Sequence, residues 1–136
     1  MKKIFIIFII TLNIIYANDN YELKLYEKIL PTICKTDTIK VFADNKVKKI
    51  LQNSNRFVLV ENCNDATILI GKYFSDLSRE CRNKPIFTTT YQSFKNNSNS
   101  FGAFYWRKGR PQIKFRLEVI EKYNLNLSKE LKKYAQ

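Results

Sequence analysis

The chain has 136 residues, with 24 Lys and Arg against 12 Asp and Glu, no His, three Cys and three Gly. That length holds one domain, and 45% hydrophobic residues are enough to give it a core rather than leave it disordered. The missing His excludes histidine triads, histidine metal ligation and a histidine pH switch, and three Cys alone are too few for a structural zinc.

Residues 1–17 read as a secretory signal. Lys2 and Lys3 form a basic start, Ile4 to Ile15 is apolar apart from Thr11 and Asn13, and Ile15-Tyr16-Ala17 supplies a cleavage site. The apolar run falls short of the roughly 20 residues of a spanning helix. The expected mature domain is therefore Asn18 to Gln136, in an oxidising periplasmic compartment. The net positive charge by itself suits nucleic acid, but that address places the protein away from it, and Lys, Asn and Ile, the residues of A+T-rich codons, are abundant enough for mutational bias to account for much of the Lys.

Tyr21 to Cys34 carries Tyr26, Ile29, Leu30 and Ile33 at helical spacing, with Pro31 predicting a kink or an early end. Ile39 to Ala43 reads as a short strand. Asp44 caps a helix whose inner face is Val47, Ile50 and Leu51. Phe57 to Val60 is a second strand. Ala66 to Ile70 is almost wholly apolar and reads as a central strand covered on both faces, ended by Gly71. A loop or short helix over Ser75 to Cys81 precedes a strand at Ile86 to Thr90. A helical turn at Tyr91 to Lys95 follows.

Phe101 to Arg116 is the most patterned stretch. A two-residue turn at Lys108-Gly109 makes it a β-hairpin. In that register Gly102, Phe104, Trp106, Pro111, Ile113 and Phe115 share a core face. Ala103, Tyr105, Arg107, Arg110, Gln112, Lys114 and Arg116 share the other, on which every charge is positive. A helix at Leu117 to Tyr123 follows, and Ser128 caps a last one through Tyr134. Strands alternating with helices and then a late hairpin predict a single α/β domain with a mixed β-sheet and flanking helices.

The three Cys allow three pairings. Cys63 and Cys81 flank one strand and its following loop, and Cys34 sits on a buried helical face. The expected disulfide is Cys63–Cys81, with Cys34 free.

No paired-carboxylate motif, nucleophile elbow or glycine-rich phosphate loop occurs, so neither an enzyme nor a cofactor or metal site is expected. Two binding patches are. Tyr105, Arg107, Arg110, Lys114 and Arg116 put an aromatic among flat cationic donors, a composition found at interface hot spots. Thr88, Thr89, Thr90 and Tyr91 put four hydroxyls at the carboxyl end of a strand, where open α/β sheets take small ligands.

The order of blocks resembles the YfiR-type periplasmic proteins, which restrain membrane-bound diguanylate cyclases. The resemblance is carried by Ile39 to Asp44, by Cys63 to Ile70, by Pro85 to Thr88, and most closely by Gly102-Ala103-Phe104, Gly109, Ile113-Lys114-Phe115 and Leu125 to Ala135. The chain departs from the family where a Trp-Pro after the first helix is absent and where Arg116-Leu117 stands in place of Ile-Asn. The resemblance implies a non-enzymatic periplasmic regulator that binds the outer domain of an inner-membrane signalling protein, a diguanylate cyclase or sensor kinase. The alternative is a small solute-binding domain that reads a polar or anionic small molecule. A second copy of the chain, as a homodimer, is a further partner to consider.

Overall fold

The computed structural model describes residues 19–74 and 77–135. The signal expected over residues 1–17, and residues 75 and 76 of the loop expected before Cys81, lie outside the described residues.

The first helix, α1, covers residues 19–34 and buries Tyr26, Ile29, Leu30 and Ile33. Pro31 does not end it early, because the buried stripe continues through Ile33 and holds the last turn down. The helix stops instead at Lys35, whose φ of 59° is left-handed. There Thr36 N donates to Pro31 O at 3.1 Å and Lys35 N to Thr32 O at 3.4 Å, which satisfies carbonyls the helix leaves open.

Strand β1 (Ile39–Ala43) leads to α2 (Asn45–Leu51), where Asp44 accepts a hydrogen bond from Val47 N and Val47, Ile50 and Leu51 turn inward as expected. Next come β2 (Phe57–Leu59) and β3 (Ile68–Gly71); every residue of β3 is buried, Gly71 included as its last member. β4 is only Ile86–Thr88, shorter than expected, because Thr90 leaves the strand to cap α3 (Tyr91–Asn96). The hairpin is β5 (Ser100–Arg107) and β6 (Arg110–Phe115), followed by α4 (Leu117–Lys122). The expected last α-helix is a 3-10 turn, Leu131–Tyr134, with Leu131 N donating to Ser128 Oγ.

The six strands lie in the order β2-β1-β3-β4-β5-β6. β1 to β5 pair in parallel and β6 runs antiparallel to β5, so the fold is a mixed-sheet α/β domain. The hairpin register follows the sequence pattern, with Phe104 opposite Ile113, Trp106 opposite Pro111 and Arg107 opposite Arg110. Lys108 and Gly109 both take positive φ, the turn whose twist matches paired strands; the glycine does so without strain.

The main core gathers α1, α2 and α4 on one face of the sheet, around Val41, Ile68, Ile70, Phe87, Phe101 and Phe115. The opposite face has two smaller clusters. Phe94 of α3 covers Ala103 and Tyr105. Ala66, Leu69 and Ile86 pack with Phe42, Val60, Phe74 and Leu77. A Cys63–Cys81 disulfide, with Cα atoms 5.8 Å apart, fastens the connection before β3 to the one after it, beside this second cluster.

Candidate functional site

Parallel pairing places the carboxyl ends of β1, β3 and β4 along one edge of the sheet. Strand order reverses between β1 and β3, the usual place for a ligand crevice. Here that point is filled. Asp44 Oδ1 accepts from Val47 N at 3.0 Å while its Oδ2 accepts from Lys72 N at 2.8 Å. A Cβ on Gly71 would stand 2.7 Å from Oδ2, so only glycine admits this carboxylate.

The opening lies one step along. β4 stops at Thr88, opposite Ala103, whereas β5 pairs with β6 as far as Arg107. Phe104 to Arg107 thus have no strand partner on the β4 side, and alternate backbone amides and carbonyls there are left open. The result is a notch of about 460 Å³, within the size range of small-molecule sites. Thr89, Thr90 and Tyr91 line one side, Lys46, Val47 and Ile50 another, and Phe104 to Arg107 with Glu22 the rest.

Glu22 is only 6% exposed. Trp106 Nε1 donates to its Oε1 at 2.7 Å, its only side-chain hydrogen bond among the described residues. Burial raises its pKa, against a smaller lowering by that indole and by Lys46. One turn along α1, the Tyr26 hydroxyl is the one buried side-chain polar atom without a hydrogen-bond partner among the described residues. Burial pushes that phenol upward as well, with Glu22 and Asp44 adding to the effect.

The two patches expected from sequence are therefore neighbours, because Tyr105 and Arg107 line the same notch as Thr89 to Tyr91. Their members differ in what they do. Thr88 is buried, with Oγ1 within 3.3 Å of Ser100 Oγ and donating to Gly102 O, so it joins β4 to β5 rather than facing a ligand. Thr90 accepts from Ser93 N at 3.0 Å as the cap of α3. Tyr105 is buried, with its ring 5.8 Å from that of Tyr91.

Arg116 is also committed internally. Its guanidinium lies 4.2 Å from the Phe94 ring centre and donates to the carbonyls of Phe94, Asn97 and Ser100 at 2.7 to 2.8 Å. Lys114 sits 5.2 Å from the Tyr91 ring centre. Arg107, Lys108 and Arg110 are exposed at the hairpin end. The accessible part of the basic patch is Arg107, Arg110 and Lys114.

Sequence reasoning missed Glu22, Lys46 and Trp106 as site residues. Glu22 had a signal: it falls four residues before Tyr26 on the buried stripe of α1, where a carboxylate needs an explanation. Trp106 was assigned to the core face, but it is half-buried and its N–H requires an acceptor.

Cys34 is free, and burial pushes its thiol up to about 12. Among the described residues, no group of three or more His, Cys, Asp or Glu is placed to hold a metal ion, and no helix is long and apolar enough to cross a membrane. Compared with known proteins, the chain matches no family model and no curated protein.

Proposed function

We propose that this chain is an exported, non-enzymatic regulator that docks an acidic outer domain of an inner-membrane signalling protein through the open end of its hairpin. The observation that carries the reading is charge segregation: Phe101 to Arg116 contains no acidic residue, and Arg107, Arg110 and Lys114 remain accessible after Arg116 is used internally. Export is supported by residues 1–17 as a signal and by a disulfide suited to an oxidising compartment. The identity of the partner as a diguanylate cyclase or sensor kinase rests on the resemblance to YfiR-type proteins.

The test combines capture and titration. Cross-linking in intact cells should yield an inner-membrane protein with a cyclase or kinase output domain. Arg110→Glu with Lys114→Glu should slow association with its purified outer domain roughly tenfold at low salt and flatten the salt dependence. A folded double mutant with unchanged affinity and salt slope would remove this face from the interface.

The notch favours a second reading, a domain that reads a small ligand. Its support is the convergence of Thr89, Tyr91, Lys46 and Arg107 on a concave space beside an unpaired stretch of β5.

A further inference from the structure

We infer that the notch recognises the free amino end of a short, apolar peptide of about dipeptide size, with Glu22 as the group that takes the ammonium. This rests on the reading of the notch as a ligand site and specifies its ligand.

Three observations converge. First, the buried charge of the notch is negative. Glu22 is 6% exposed and has one side-chain hydrogen bond, from Trp106, among the described residues. Glu22 is largely desolvated and its Oε2 has no hydrogen-bond partner among the described residues, so a ligand donor placed against that oxygen lowers the cost of holding the carboxylate there. A simple anion would do the opposite. The aromatic rings of Trp106 and Tyr91 line the same space, and both favour an ammonium neighbour.

Second, the cations stand at the rim. Lys46 and Arg107 are exposed where Glu22 is buried, so a ligand with an inner positive end and an outer negative end matches the charge order of the notch. A peptide with free termini has that order.

Third, the wall between these ends is strand backbone. β5 from Phe104 to Arg107 lacks a partner on the β4 side, and Val47, Ile50 and Phe104 supply apolar surface beside it. A peptide bond offers the N–H and C=O that such an edge lacks, and its side chains suit the apolar wall. The notch of about 460 Å³ limits the ligand to a small one.

The experiment is calorimetric titration of the folded protein with leucyl-leucine, its N-acetyl form, its C-terminal amide and inorganic phosphate. Leucyl-leucine should bind. Acetylation should weaken it roughly tenfold or more, the scale of a lost charge-assisted hydrogen bond. In Glu22→Gln, which keeps an acceptor for the Trp106 indole, the free and acetylated forms should bind alike. In Lys46→Gln, the gap between the peptide and its amide should narrow. Equal binding of the free and acetylated forms by the wild-type protein overturns the ammonium assignment and leaves the notch as a ligand site. Binding of phosphate with no binding of any peptide overturns it in favour of an anion site. Failure of all four probes at millimolar concentration overturns both the assignment and the ligand reading of the notch.

Discussion

At the scale of single residues, the basic side chains of this protein divide by what their charge touches. Arg116 appears in the sequence as one more cation on the hairpin's basic face. In the fold, its flat fork ties the end of α3 to the start of β5 through three carbonyls, over the Phe94 ring. Removing it takes a charged donor from all three carbonyls, of which Asn97 O still accepts from Ser100 N, so Arg116→Ala should cost roughly 2 to 3 kcal/mol in denaturant titration. Arg116→Lys should recover only part of this, because an ammonium cannot span the fork. A loss within about 0.5 kcal/mol, typical of a surface change, would return Arg116 to the solvent-facing set.

Glu22 gives a prediction with a definite sign. Its pKa is raised by burial, with Asp19 adding and Trp106 and Lys46 opposing. The native state therefore holds the proton more tightly than the unfolded chain does. As pH rises from the ordinary carboxylate range through the raised native value, this residue subtracts stability, and above that value the subtraction is complete. Glu22→Gln should thus melt higher than the wild type at neutral pH, and the gap should close in acid. A gap that widens in acid would mean that the carboxylate is net stabilising in its ionised form.

At the scale of elements, length differences between neighbours create the site. β4 has three residues and β5 has eight, and the missing part of β4 is the notch. Thr90 decides this locally, since its hydroxyl cap starts α3 and takes the chain away from the sheet. The disulfide acts at the same scale. It joins the two connections flanking β3 and closes a loop of 18 residues, which the chain-entropy account values at about 3 kcal/mol. Cys63→Ser with Cys81→Ser should lower the melting temperature by on the order of 10 °C or more. Partner affinity measured well below that temperature should stay nearly unchanged, because the bond joins the connections flanking β3, and β4 stands between β3 and the β5-β6 hairpin in the sheet. A large affinity loss in the folded variant would instead tie the disulfide to the docking surface.

For the molecule as a whole, the local pattern determined much of the architecture. The cap at Asp44, the apolar run of β3, the hairpin register and the Cys63–Cys81 pairing were all legible, because each depends on periodicity, turn chemistry or placement along the chain. The boundaries that moved were those set by competition: β4 lost its last threonines to a helix cap, and α1 outlasted Pro31 because its apolar stripe continued. The binding patches were legible only as residue types. Whether Thr88 faces a ligand or Ser100, and whether Arg116 meets solvent or three carbonyls, depends on partners 12 to 22 residues away. Glu22 and Trp106 are further apart still, with a sequence separation of 84, and no local pattern joins them. Sequence by itself determined which elements form and which faces they bury, since those follow from short-range spacing. Only the tertiary structure decided where β5 outruns β4 and which charges that opening collects, since both depend on how distant segments pack.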